Sequence, residues 1–176
     1  MTSPTEAAPV ATAAVAVADE AALGRLAVRV AAALEGRAFV TLTGDLGAGK
    51  TTFVKALAAA VGIEPAEVTS PTFGLIHVHE PPSAPGAPDE SHGPARLVHA
   101  DMYRLTDPGE LAETGWGDAI AGDAWVLVEW PERIAAALPA ERIDVALEIT
   151  GPTARVLTFT GRGSAAAAIV GRLAAG

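Results

Sequence analysis

The chain contains no cysteine, no asparagine and no glutamine. Without cysteine it can form no disulfide, zinc–thiolate site or iron–sulfur cluster, and it cannot run thiol catalysis; a reducing cytoplasm is compatible with that absence. Without asparagine it cannot carry the Asn-Lys-x-Asp motif that reads guanine. Without glutamine it has neither the water-orienting residue of Ras-type GTPases nor the Q-loop of transporter ATPases. Aromatic residues make up only 5% of the chain, although half of it is hydrophobic. A core of Ala, Val and Leu suits helices packed on a sheet better than an aromatic-rich β-sandwich. Lysine is also scarce, with two residues against ten arginines.

Basic charge is in deficit: the formal net charge is -9 and the pI about 4.8. A surface that grips nucleic acid directly normally carries a basic patch. Here the arginines are scattered and no three basic residues are consecutive, so any RNA is expected to be held by a partner. No run approaches the roughly 18 apolar residues of a membrane-spanning helix. Met1 to Ala18 has no basic n-region, as Arg25 is the first basic residue, which argues against a secretory signal. The expectation is a cytoplasmic protein without membrane contact. Its 176 residues fit one domain, read as a flexible tail over 1–12 and a folded unit over 13–176.

Hydrophobic periodicity orders that unit. Val15–Val17 reads as a short strand and Asp19 as the cap of a helix with Leu23, Leu26, Ala27, Val30 and Leu34 at helical spacing, ending at Gly36. Ala38–Thr43 is a buried strand leading into a glycine-rich turn, and Lys50–Val61 a helix closed by Gly62. Phe73–His79 is β-like, and Glu80–Ala95 is a Pro/Gly/Ser loop too poor in apolar residues to pack. Arg96–Asp101 and Trp125–Glu129 are apolar strands that each end in a carboxylate. Asp107-Pro-Gly-Glu110 has the composition of a helix start, and Pro131–Ala137 reads as a short helix. Arg142–Thr150 alternates, Arg155–Thr160 can pair with it as a hairpin, and Ser164–Ala174 closes the chain as a helix. The predicted fold is one α/β domain of the P-loop NTPase class, with a mainly parallel sheet flanked by helices and a C-terminal β-hairpin.

Chemistry concentrates at Gly44-Asp-Leu-Gly-Ala-Gly-Lys50-Thr51. In a P-loop, small residues let backbone N–H groups curl around a phosphate and the helix N-terminus adds partial positive charge. The lysine reaches the β and γ oxygens, and the Ser or Thr hydroxyl ligates magnesium. One of only two lysines stands at the position that requires a compact ammonium and fits a planar guanidinium poorly. Such a site also needs a carboxylate on a neighbouring strand, and ligands of open α/β sheets sit outside the carboxyl ends of strands. Asp101 and Glu129 are the candidates, one for the metal and one for the attacking water. Ser70-Pro-Thr-Phe73 falls where many P-loop proteins place a nucleotide-sensing loop; Trp130 could pack near the nucleotide or in the core. His77, His79 and His99 lie in β-like runs, where satisfied histidines beside a sheet are commoner than a metal site.

Four motifs in order, Gly44–Phe53, Ser70–Phe73, His99-Ala-Asp-Met-Tyr-Arg104 and Val128-Glu-Trp-Pro-Glu132, resemble those of the TsaE (YjeE) family. The resemblance spans roughly Val15 to Phe159. It implies a small bacterial ATPase that joins the TsaB–TsaD pair and supports turnover of threonylcarbamoyl transfer to adenosine beside the anticodon of tRNAs reading ANN codons. Residue by residue, it implies that Leu46, Gly47, Ala48, Gly49, Lys50 and Thr51 hold the phosphates of ATP and that Thr51 and Glu129 bind Mg2+. The resemblance also implies that Asp101 is needed for hydrolysis, with Lys50 and Glu129 the other catalytic groups, and that the Glu80–Ala95 loop is an insertion. Trp130 lies near the nucleotide and Glu20 approaches the nucleoside, while tRNA is met only through the complex. Leu23 stands where a threonine is common in the family, and Met102 where leucine is usual, a volume-conserving exchange. Two rival readings are a non-catalytic nucleotide switch and a small P-loop metabolite kinase. The second needs an arginine-bearing lid, whereas Glu80–Ala95 contains no Arg or Lys.

Overall fold

The computed structural model describes residues 10–34, 36–71, 75–82 and 93–175. Its strands are β1 (Val10–Val17), β2 (Ala38–Thr43), β3 (Ile76–His79), β4 (Arg96–Asp101), β5 (Ala124–Glu129), β6 (Arg142–Ile149) and β7 (Arg155–Arg162). The α-helices are α1 (Glu20–Ala33), α2 (Lys50–Ala60), α3 (Trp116–Ala119) and α4 (Ser164–Ala175). The strands form one sheet in the order β1-β7-β6-β2-β5-β4-β3. β6, β2, β5 and β4 run parallel at its centre. The antiparallel strands lie outside them, β3 on β4 at one edge and the β6–β7 hairpin with β1 at the other.

Two apolar layers sandwich the centre of the sheet. On one face Val40, Leu42, Leu97, Trp125, Leu127, Leu157 and Phe159 pack against Leu26 and Val30 of α1, Phe53, Val54 and Leu57 of α2, and Val170 of α4. On the other, Phe39, Val98, Ala100, Val126 and Val128 meet Leu111, Trp116 and Ile134. The elements covering that second face are shorter: α3 and two 3-10 segments, Pro108–Thr114 and Pro131–Ala137. Strands buried on both faces read as continuous apolar runs, which is why β4 and β5 were visible in the sequence. Their alternation has a further consequence. Leu97 and His99 share the α2 face with Asp101, and Trp125 and Leu127 share it with Glu129.

The sequence reading differs from the structure mainly at element ends. β1 begins at Val10 rather than Val15, so residues 10–12, assigned to the tail, belong to the sheet. Its alanines carry little strand propensity; an eight-residue antiparallel register from Val10↔Arg162 to Val17↔Arg155 holds them extended. The expected strand from Phe73 starts at Ile76, and Thr72, Phe73 and residues 83–92 of the insertion lie outside the described residues. The expected helices at Asp107 and Pro131 are 3-10. Asp107 accepts from Gly109 N at 2.8 Å and closes a tight first turn. The second segment is broken at Ile134, whose φ is -127°. In α1, Asp19 caps as expected, its side chain accepting from Ala22 N at 2.7 Å.

Candidate nucleotide and magnesium site

The site lies where β2 runs out into α2, at the carboxyl ends of the parallel strands. Gly44 takes φ 141°, and a Cβ there would stand 2.5 Å from Leu147 O, so only glycine fits between β2 and β6. Gly49 takes φ 103° and opens α2 without any side-chain cap. The first N–H groups of α2 therefore have no intrahelical or capping partner and point out of the helix, the arrangement that binds anions. Ala48 is fully buried, while Leu46 is 80% exposed.

Lys50 folds back over this loop. It is 5% exposed, and its Nζ donates to Gly44 O at 2.6 Å and Asp45 O at 3.0 Å. The same Nζ stands 4.3 Å from the centre of the Trp130 ring, a cation–π contact. Trp130 directly follows β5 and has φ 57° and ψ 51°, a left-handed conformation that a bulky residue adopts only under local constraint. Its ring meets Tyr103 at 5.0 Å between centroids. Trp130 thus lies over the lysine of the loop and is also packed, partly buried, against the apolar layer on the second face of the sheet.

The two strand-end acids come together as expected. Asp101 and Glu129 are register partners on adjacent parallel strands, and Glu129 also pairs with Leu42 of β2. Both are buried, at 8% and 3% exposure. Glu129 Oε1 accepts from Thr51 Oγ at 2.7 Å and lies 2.8 Å from His99 Nε2. A carboxylate only accepts, so Nε2 carries the hydrogen, and Nδ1 is buried with no partner among the described residues. Asp101 has a different set: Oδ2 accepts from Ser70 Oγ at 2.9 Å and Oδ1 from Tyr103 N at 3.0 Å.

Thr51 and Glu129 offer a hydroxyl and a carboxylate, the hard oxygen donors magnesium takes. Among the described residues no group of three His, Asp or Glu side chains could hold a metal by itself. Magnesium does not require one, because it keeps waters and takes phosphate oxygens in such sites. The donor set fits the ion. His77 and His79 lie on β3, where His77 is the register partner of His99, and their rings are 6.3 Å from each other. Burial, with His77 and His99 nearby, lowers the His79 pKa below its ordinary value, against the pull of Glu67.

On the other side of the loop a cleft of about 210 Å3 is lined by Val17, Asp19, Glu20, Leu23, Thr52 and Arg155, among others. Glu20 therefore stands beside the P-loop, on the side away from β5. A larger cavity of about 350 Å3 opens at the amino ends of β2 and β6, beside Arg37, Phe39 and Arg142; it contains none of the P-loop or strand-end groups. Two residues in the site escaped the sequence reading in these roles. His99 braces Glu129, a pairing that depends on the parallel register of β4 and β5 and has no local signal. Arg155 contacts the P-loop from 107 positions away, and nothing local signals it.

Comparison with known proteins agrees with the motifs. The family model described as threonylcarbamoyl adenosine biosynthesis protein TsaE matches residues 17–157. A tRNA threonylcarbamoyladenosine biosynthesis protein TsaE from Streptomyces coelicolor is 38% identical over 145 residues, covering 80% of this chain and 89% of that protein. Its namesake from Treponema pallidum is 36% identical over 125 residues, covering 71% and 83%. The crystal structure of Bacillus subtilis YdiB superposes with a TM-score of 0.70 at 28% identity, covering 94% of this chain and 95% of that one. The chain belongs to the TsaE family of threonylcarbamoyl adenosine biosynthesis proteins.

Proposed function

We propose that the chain binds Mg-ATP at the P-loop and hydrolyses it. We further propose that this turnover supports a TsaB–TsaD pair forming N6-threonylcarbamoyladenosine in tRNAs that read ANN codons. The observation that carries the reading is the 2.7 Å bond from Thr51 Oγ to Glu129 Oε1 at the mouth of the P-loop. It joins the hydroxyl and the acid that the chemistry requires on one magnesium, from two elements 78 residues apart. The relatives' names supply the pathway.

In this reading the loop amides from Leu46 to Thr51 bind the phosphates. Lys50 exchanges its bonds to Gly44 O and Asp45 O for phosphate oxygens. Bound magnesium offsets charge on the β and γ oxygens. Glu129 receives Thr51 and His99 and is held ready for that ion, while Asp101 orients the attacking water. Trp130 shields the lysine from bulk solvent, which strengthens every charge interaction beneath it. Glu20 faces the nucleoside. With a net charge of -9, the chain meets tRNA through its partners, in the cytoplasm. No helix among the described residues is long and apolar enough to cross a membrane.

Phosphate release from purified protein, alone and with TsaB and TsaD, tests this. The expected outcome is slow release alone and faster release in the complex. Nucleotide binding with no release in either setting contradicts hydrolysis and leaves a nucleotide-controlled switch.

A further inference from the structure

Arg155 is the first residue of β7 and is partly buried. Its guanidinium donates to four main-chain carbonyls. Nη1 reaches Gly151 O at 3.0 Å and Ala154 O at 2.8 Å, both in the turn of its own hairpin. Nε reaches Ala48 O at 2.9 Å and Nη2 reaches Gly47 O at 3.4 Å, both in the P-loop. One edge of the fork is therefore pinned to the hairpin while the other holds the loop.

The consequence follows from peptide geometry. In a trans peptide the C=O and the next N–H point in opposite directions. Drawing the Ala48 carbonyl toward β7 turns the Gly49 N–H away from it, toward the mouth of the loop, where Gly49 opens α2 uncapped. The Gly47 carbonyl is held in the same way, but the Ala48 N–H that follows it donates to Asp45 O at 3.0 Å, so this second bond fixes the shape of the loop rather than presenting an amide. A glycine-rich loop has many backbone conformations available, and each amide that faces the wrong way is lost to the anion. A rigid fork of donors can fix two adjacent carbonyls, whereas an ammonium on a flexible stem cannot span them while also holding the hairpin.

We propose that Arg155 is a positioning residue that orients the P-loop amides toward the polyphosphate of the nucleotide. The proposal rests on the Mg-ATP reading of the same site. Because Arg155 also lines the nucleoside cleft, its role must be separated from contact with the base and from simple charge.

Calorimetric titration of wild type, Arg155→Met and Arg155→Lys with ATP and with inorganic tripolyphosphate makes that separation. The expected result is that Arg155→Met weakens both ligands by the same factor, roughly tenfold, and that Arg155→Lys restores only part of the loss. Three outcomes overturn the proposal: unchanged binding in Arg155→Met, loss of ATP with tripolyphosphate binding intact, or wild-type affinity for both ligands in Arg155→Lys. If circular dichroism shows Arg155→Met unfolded, the lysine variant decides alone. A loss of about threefold or more in tripolyphosphate affinity then supports the assignment, and no loss overturns it. Wild-type protein that binds neither ligand fails the nucleotide reading itself, whereas wild-type binding with unaltered variants fails only the role of Arg155.

Discussion

The P-loop is held from two flanks, and they hold it by different chemistry. On the flank of β4 and β5, side chains meet side chains: Thr51 bonds Glu129, Glu129 bonds His99, and Ser70 bonds Asp101. On the flank of the β6–β7 hairpin, one guanidinium meets only main-chain carbonyls. The first flank presents groups that can exchange partners when a cation and phosphates arrive. The second offers nothing that reacts and acts on the shape of the loop. The surroundings match this division, since β4 and β5 are packed on both faces, while β6 and β7 keep partly exposed polar residues on the face away from the helices. Acids that must hold fixed positions sit where packing is complete.

Substitutions can break or sharpen the contrast. The largest effect is expected from Lys50→Ala, which acts on the loop itself: Mg-ATP binding or turnover should fall at least about 100-fold. Circular dichroism should show the fold retained, because the ammonium's partners, the Gly44 and Asp45 carbonyls and the Trp130 ring, all lie at the site itself. Glu129→Gln comes next. It should keep nucleotide in a filter-binding assay yet reduce magnesium-dependent turnover by about 100-fold. Normal hydrolysis by that variant would remove Glu129 from the metal site. Ser70→Ala should lower turnover by roughly tenfold without changing nucleotide affinity, because it frees one oxygen of Asp101 and removes no bond to the P-loop among the described residues. An unchanged rate would mean that Tyr103 N alone suffices to fix that acid.

The smallest effect is expected on the hairpin flank, at Asp144. Burial raises its pKa, but hydrogen bonds from Arg162, Thr41 and Arg142 outweigh that and leave it below its ordinary value of 3.8. A carboxylate whose folded pKa is depressed stabilises the fold above its unfolded pKa, and the contribution is lost as pH falls through the folded value. Asp144→Asn should therefore cost about 1 kcal/mol or less at pH 7 and nothing further in strong acid. Thermal melts at the two pH values check this. ATP turnover near neutrality should not change; a large loss would show that the hairpin does more than shape the loop.

Much of the first flank was legible in the sequence because its signals are local. A glycine run between a buried strand and a helix, and apolar strands ending in Asp101 and Glu129, need no tertiary knowledge. The pairing of His99 with Glu129 was not legible, because it depends on β4 and β5 lying in parallel register with His99 one pleat below the acid pair. Arg155 was out of reach for a plainer reason: an arginine opening a hairpin strand looks like an exposed edge residue. β1 was half legible. Its valines suggested a strand, but its alanines hid the length that pairing with β7 enforces.

The measurement that bears most directly on the central claim is calorimetric titration of the purified protein with Mg-ATP, repeated with Lys50→Ala. The account predicts a saturating one-site heat for the wild type and its loss in the variant. No heat with wild type, even beside TsaB and TsaD, or equal heats for the two proteins, would contradict it.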